Sequence, residues 1–244
     1  MNVKGSPFAW VSFALIAGVM GTALISPLYA LYQEAWQLKA SDISLIYVIY
    51  MGGALCGLLF LGRLPDRLGF RPLLRSGLVL ALLGTIATLF AWDMASLCAG
   101  RFVVGVASSM LTISATLAMS RLVQPQHRSR LAMITSIVLV SGFGLGPLVG
   151  GLFGQWAPRP LVTTYLPTLL LCSLALLVFM RLELPDGATA GNGQPLQWRD
   201  VLPRLTWPDS HASFAFILTS SLAFQAFSGF GLYASLSPLF LDKL

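Results

Sequence analysis

The stretch GRLPDRLGFR, residues 62–71, carries four charged side chains in ten positions, although only 10% of this 244-residue chain is charged. Apolar runs of membrane-spanning length flank it on both sides. A soluble domain has about 25% charged residues, whereas this chain is 56% hydrophobic with a mean hydropathy of +0.79. Because long apolar stretches alternate with short polar gaps, the sequence predicts an all-α polytopic membrane protein.

The short gap at residues 62–71 requires a sharp chain reversal. Gly69 can adopt a positive φ, and Pro72 suits the first turn of the following helix. Asp66 can pair with Arg67 or Arg71, or face the N-terminus of a neighbouring helix. Taken by itself, the stretch is also compatible with a positively charged loop that contains one incidental acid.

Seven apolar segments are each long enough to cross a hydrocarbon core of about 30 Å at about 1.5 Å per residue. We predict spans at residues 8–32, 41–61, 72–92, 95–122, 131–155, 161–180 and 211–240. The gap at residues 182–210 is rich in Gly, Pro and charge, which indicates an interdomain linker with a short amphipathic helix near 198–205. The predicted domains are a six-span bundle at 1–181 and, after the linker, the first span of a truncated second bundle at 211–244.

The distribution of Lys and Arg predicts the orientation. With a cytoplasmic N-terminus, eleven basic residues fall in inside segments and three in outside segments. The inside residues are Lys4, Arg63, Arg67, Arg71, Arg75, Arg121, Arg128, Arg130, Arg181, Arg199 and Arg204, and the outside residues are Lys39, Arg159 and Lys243. We therefore predict a multi-pass protein of the plasma or inner membrane, and we attribute the net charge of +6 to topology rather than to nucleic-acid binding.

Arg101 is the only basic residue deep inside a predicted span, about seven residues or roughly 10 Å from the outer end of span 4. An arginine at a helix centre costs at least about 3 kcal/mol on insertion scales, so it marks a candidate functional site. Its side chain can instead extend outward to the interface. Against this alternative, Gly105, Ser108, Thr112 and Thr116 follow Arg101 at helical spacing, and this polar stripe indicates a face on water or another helix.

Three motifs in the predicted six-span half resemble those of the major facilitator superfamily, in the same order and on the same spans. Residues 62–71 resemble its signature loop between spans 2 and 3, LCAGRFVVGVAS at 97–108 its span-4 motif, and GFGLGPLVGG at 142–151 its span-5 motif. The matching residues are Gly62, Asp66, Arg67, Gly69 and Arg71 in the loop, Arg101 and Gly105 in span 4, and Gly142, Gly146, Pro147, Gly150 and Gly151 in span 5.

The resemblance implies the six-helix N-terminal bundle of the major facilitator fold plus a seventh span, working by alternating access with a C-terminal half that this chain lacks. It further implies that the loop at 62–71 holds the cytoplasmic side closed and that Arg101 couples transport from the cavity wall. The glycines at 142–151 would form a hinge against a second-half helix. Because this span-5 motif is typical of antiporter branches, the resemblance favours efflux of a small organic molecule coupled to protons.

Other residues are weaker candidates for the cavity wall. Tyr29 in span 1, Tyr47 and Tyr50 in span 2 and Gln225 in span 7 lie on faces that could line it. A Gln225 amide without hydrogen bonds is costly in lipid, so we expect it to face protein, water or substrate. Tyr32, near the outer boundary, is predicted to be an interfacial anchor.

The sequence leaves two functional alternatives to efflux: uptake of a metabolite such as a sugar or organic acid, and a seven-span sensor or interaction subunit that transports nothing. All nine Asp and Glu residues lie in gaps or at span ends, so proton binding would fall to Glu34, Asp42 or Asp93, or to the missing half. The sequence contains no nucleophile–base–acid arrangement, metal-ligand cluster or phosphate loop, so we predict no enzymatic activity, no cofactor and no metal.

Overall fold

The computed structural model describes residues 6–123, 128–182, 202 and 209–241. The chain divides into two compact units, Met1–Leu202 and Pro203–Leu244. The described residues of the first unit form α1 (Pro7–Ala23), α2 (Tyr29–Trp36), α3 (Ala40–Leu61), α4 (Leu64–Leu68), α5 (Phe70–Leu89), α6 (Met94–Leu122), α7 (Arg128–Trp156), α8 (Pro160–Thr163) and α9 (Leu166–Arg181). The second unit contains α10 (Ser210–Leu241). The described residues include no strand, which confirms the all-α prediction.

Six segments of the described chain are long and apolar enough to cross a membrane. They are Pro7–Trp36, Ala40–Leu61, Phe70–Leu89, Met94–Leu122, Arg130–Trp156 and Pro160–Arg181. The six match the first six predicted spans, with ends that shift by a few residues. The seventh predicted span coincides with α10, in which the described apolar part is Ala212–Ala226. Nearly all of the predicted linker, including its amphipathic helix, lies outside the described residues.

The first span is broken, whereas the sequence predicted one continuous helix. The helix α1 ends at Ala23, a 3-10 turn follows at Ser26–Leu28, and α2 begins at Tyr29. Pro27 stands in that turn and has no N–H to donate, so the regular helical ladder cannot pass through it. Since α2 continues to Trp36, Glu34 falls in the last turn of the span, where its side chain is exposed.

Local signals fix the starts of several helices. Gly69 has a φ of 81°, the positive value expected for this reversal, and α5 starts directly after it. At the start of α6, the Asp93 carboxylate accepts a hydrogen bond from the Ser96 backbone N–H at 2.8 Å, and Ser96 Oγ accepts one from the Asp93 N–H at 3.1 Å. Hydrogen bonds from Ser96 lower the pKa of the Asp93 carboxyl below its usual value.

The helix α6 packs closely against α3, and glycines allow that approach. A side chain at Gly53 would collide with the Phe102 carbonyl, and one at Gly105 would collide with the Tyr50 carbonyl. Small residues permit such close backbone contact where lipid supplies no hydrophobic driving force between helices. Further along the bundle, Leu111 packs in the buried core with Leu15 on α1.

We predict that Gly53→Ala destabilises the bundle by about 1–3 kcal/mol, the range for overpacking a tight interior. The added methyl group meets backbone atoms of α6, which cannot move aside as a flexible side chain can. Thermal unfolding of the purified protein in detergent measures the effect. The matched control is Gly52→Ala, because no neighbouring atom lies within 4 Å of a Cβ built there. Equal melting temperatures for the two variants would contradict this account.

Candidate functional site

Arg101 lies in the interior of the first unit, with 2% of its surface exposed. It is the only charged side chain that is buried among the described residues. Its Nη2 donates a hydrogen bond to the Thr22 carbonyl at 2.8 Å, and its Cζ lies 4.6 Å from the centre of the Tyr50 ring. The side chain therefore does not extend to the interface, and it joins span 4 to spans 1 and 2.

The Thr22 carbonyl is available to Arg101 because α1 ends one residue later, at Ala23. The last four carbonyls of a helix have no partner inside it. They also form the negative end of the helix dipole, which attracts a cation. The break in span 1 thus creates the acceptor that the buried guanidinium uses. The Thr22 hydroxyl takes no part in this contact, because it donates to the Val19 carbonyl at 2.7 Å.

The three candidate tyrosines of spans 1 and 2 lie near Arg101. Tyr29 and Tyr50 are buried and Tyr47 is half-buried, with the rings of Tyr47 and Tyr50 6.1 Å apart. The Tyr29 hydroxyl is close enough to the Arg101 guanidinium to interact with it, but neither this hydroxyl nor Arg101 Nε has a partner at hydrogen-bond distance and angle. We call Arg101, Tyr29, Tyr50 and Tyr47, with the Thr22 carbonyl, the arginine cluster.

A second pair of tyrosines corrects one expectation. Tyr32, predicted to anchor the protein at the membrane interface, is 2% exposed, and its hydroxyl lies 3.0 Å from that of Tyr165. Tyr165 stands between α8 and α9, so the hydrogen bond joins span 1 to span 6. Sequence reasoning missed Tyr165 because an aromatic residue near a span end carries no signal that distinguishes a buried pair from an anchor.

The polar stripe on α6 divides into two parts. Near Arg101, Gly105 packs against α3 and Ser108 is buried. Farther along, Thr112 and Thr116 line an open groove of about 440 Å³ beside the loop at 62–71. The other residues of this groove are Gly62, Pro65, Asp66, Ile113, Leu117 and Ser120. The structure therefore brings Asp66 and Gly62 next to the second half of the stripe and not next to Arg101.

Arg71, in the loop, and Arg75, one turn later, bond to the end of α9. The Asp66 side chain is exposed, and Arg71 does not pair with it, because Arg71 Nη2 donates to the Leu182 carbonyl at 2.8 Å. Arg75 donates to the Phe179 carbonyl through Nη2 at 2.6 Å and through Nε at 3.0 Å. Both arginines thus satisfy free carbonyls at the end of α9. In the sequence, Arg75 is one of the inside arginines, and nothing in the pattern indicates this contact.

The span-5 glycines face α1. A Cβ added at Gly142 would lie 3.0 Å from the Val19 Cβ, and one at Gly146 would lie 2.7 Å from the Met20 carbonyl oxygen. One at Gly150 would collide with the Leu24 carbonyl. The described partner of this strip is therefore α1, and the contact with a second-half helix that the family resemblance implies stays a prediction.

The other two residues of the span-5 motif behave differently. Gly151 has no neighbouring atom within 4 Å of an added Cβ, so it lies on an open face of α7. Pro147 stands inside α7, which continues to Trp156. Gln225, on α10 of the second unit, is exposed within that unit. Of the five span-5 residues, the structure thus gives close contacts to Gly142, Gly146 and Gly150 and leaves Gly151 open.

The first unit combines helices of membrane-spanning length, a buried cation and a break in one of the spans. These features define an integral membrane protein with a polar interior site. The chain matches the model of the Major Facilitator Superfamily over residues 11–244, and it therefore belongs to that family. The family consists of transporters and not enzymes, as the sequence predicted.

Curated relatives include transporters of different kinds. The chain is 32% identical over 132 residues to the multidrug resistance protein MdtM of Salmonella typhimurium, covering 52% of this chain and 32% of that protein. It is 30% identical over 177 residues to the arabinose-proton symporter of Escherichia coli, covering 70% of this chain and 35% of the symporter. In both comparisons the chain spans about a third of its relative's length.

The fold matches solved structures. The human organic anion transporter MFSD10 is 19% identical, with a TM-score of 0.60 over 82% of this chain and 53% of that one. A bacterial homologue of the human lysosomal transporter Spinster gives a TM-score of 0.55 at 12% identity, covering 70% of this chain and 43% of that one. At these identities the match supports the fold alone.

We predict that Gly150→Ala destabilises the protein by about 1–3 kcal/mol, because the methyl group collides with the Leu24 carbonyl at the break in span 1. Gly151→Ala, one residue away on the open face, is the matched control and should leave stability unchanged. Thermal unfolding in detergent measures both variants. A larger loss for Gly151→Ala than for Gly150→Ala would contradict the assignment of the strip to α1.

Proposed function

We propose that this chain forms the N-terminal half of a secondary transporter that moves a small organic molecule by alternating access. The observation that carries the proposal is the arginine cluster, a buried cation beside a break in span 1. Intramembrane charges and broken helices mark substrate and ion pathways in such proteins. In this proposal a second bundle, absent from the chain, supplies the other wall of the cavity.

The direction we propose is efflux coupled to proton influx. The glycine and proline pattern at residues 142–151 and the likeness to a multidrug resistance protein support it. The likeness to the arabinose-proton symporter favours a second candidate, proton-coupled uptake of a metabolite. In both versions the N-terminus and the arginine-rich loop at 62–71 face the cytoplasm, following the distribution of basic residues.

Proton coupling needs a group that binds the proton. The described acids nearest to the spans of the first unit are at helix ends: Glu34, Asp42 and Asp93. The proposal therefore assigns proton binding to one of these boundary carboxylates or to an acid in the rest of the transporter. The loop at 62–71 acts as the gate, with Asp66 beside the groove on α6.

The test of coupling uses the whole transporter reconstituted in liposomes with an imposed pH gradient. Two drug-like probes are tested, the cation ethidium and the anion carboxyfluorescein. We expect one of them to move against its own gradient and to stop when a protonophore collapses the pH gradient, because antiport links the two fluxes. Arabinose in the same liposomes tests the uptake candidate. Movement of either probe that persists unchanged after collapse would contradict antiport, and arabinose accumulation with protons would favour symport.

We predict that Asp66→Ala lowers the transport rate while leaving membrane insertion and melting temperature intact. The side chain is exposed and lines the groove, so its loss removes a charge at the gate without opening a cavity. Initial transport rates in liposomes give the result. Arg63→Gln, which removes a charge from the same loop, is the control and should transport normally. Unchanged kinetics in the Asp66 variant would remove the gating role from this residue.

A further inference from the structure

The charge of Arg101 has no counter-charge among the described residues of the first unit. Its contacts are a backbone carbonyl and an aromatic ring, and no carboxylate of residues 6–123 or 128–182 pairs with it. A buried charge is stable only when it is paired and its hydrogen-bonding groups are satisfied. A carbonyl and a ring compensate it in part, since both carry partial rather than full negative charge.

Two buried polar atoms beside that charge are also unsatisfied. Arg101 Nε and the Tyr29 hydroxyl are both shielded from solvent, and although the two side chains interact, neither atom has a partner at hydrogen-bond distance and angle. Tyr29 and Arg101 are 1% and 2% exposed. Leaving such groups unpaired opposes folding, so each orphaned group requires an explanation. Both residues lie in one cluster, and both atoms can donate a hydrogen bond.

An oxyanion supplies what these groups lack. A guanidinium binds a carboxylate through short, charge-assisted hydrogen bonds, and a tyrosine hydroxyl can donate to the same group. A neutral hydroxyl or amide ligand would satisfy the donors but would leave the charge of Arg101 uncompensated. A cationic ligand would add a second positive charge in an interior of low dielectric.

We propose that Arg101 and Tyr29 form an oxyanion-binding subsite and that the transported molecule carries a carboxylate or a similar oxyanion. This inference rests on the proposed transport function. Tyr50 covers the subsite, because its ring lies over the guanidinium. The half-buried Tyr47 beside it marks the side from which the ligand enters.

An acid of the second bundle is the other source of a counter-charge, and the burial of Arg101 argues against it. The first unit already encloses Arg101 on its own, between spans 1, 2 and 4. A side chain fixed to another bundle pairs with a residue on the surface between the two bundles. A small diffusible anion, in contrast, enters the cluster when the Tyr50 ring rotates.

The test measures binding of benzoate and benzamide to the purified whole transporter by isothermal titration calorimetry. The two probes share size and shape, but only benzoate is charged. We expect the wild type to bind benzoate at least about tenfold more tightly, as a hydrogen bond to a charged group implies. Equal affinities, or no benzoate binding, would overturn the subsite and would favour a second-bundle acid as the partner of Arg101.

Single substitutions show where benzoate binds. Arg101→Gln should abolish the preference for benzoate, and Arg130→Gln, which removes an exposed arginine, should keep it. Because Arg101→Gln also breaks the bond to Thr22 and can unfold the protein, Tyr29→Phe is the decisive variant. It removes a hydroxyl without a partner, so it should keep the melting temperature and weaken benzoate binding about tenfold.

Tyr165→Phe is the matched control for Tyr29→Phe. It removes a buried hydroxyl that is bonded to Tyr32, so it should lower the melting temperature and leave benzoate binding unchanged. Unchanged benzoate affinity in Tyr29→Phe would overturn the subsite.

The subsite and the proposed function fail separately. If ethidium is transported with the pH gradient and benzoate binds no more tightly than benzamide, the subsite is overturned and the transport function is kept. Benzoate binding that depends on Arg101, without transport of any solute, would overturn the transport function and keep the subsite.

Discussion

The structure of the first unit depends on keeping one positive charge inside an apolar bundle. A buried guanidinium needs acceptors, and the described spans offer it no carboxylate. The first span breaks at Ala23 and exposes the end of a helix, and the carbonyl of Thr22 becomes the acceptor. The ring of Tyr50 covers the other side. The break in span 1 and the position of span 2 are thus both linked to Arg101.

Close helix contacts hold these groups in place. Gly53 and Gly105 bring α3 and α6 together next to Tyr50, and Gly146 and Gly150 seat α7 on the end of α1 next to the break. Backbone approach of this kind stabilises helix pairs through packing, which matters most where no water is expelled. The same glycines that pack the bundle therefore also fix the parts that contact Arg101.

Sequence reasoning recovered the features that side-chain identity determines. Hydropathy located six spans, glycine chemistry gave the positive φ of Gly69, and the polar stripe placed Arg101 inside the protein. It did not recover contacts that depend on backbone atoms or on distant partners. A carbonyl such as that of Thr22 has no signature in the sequence, because every residue has one. The pairing of Tyr32 with Tyr165 joins positions 133 residues apart, which periodicity does not connect.

Arg71, Arg75 and Arg101 share one mode of binding, but its consequence depends on how deep each arginine lies. Arg71 and Arg75 donate to carbonyls at the end of α9, as Arg101 donates to one at the end of α1. A helix end offers only a fraction of a negative charge, so none of these contacts neutralises the cation. Arg71 and Arg75 lie at the rim of the bundle, where water and headgroups can supply the remainder. For Arg101 in the interior, the remainder must come from a partner that enters.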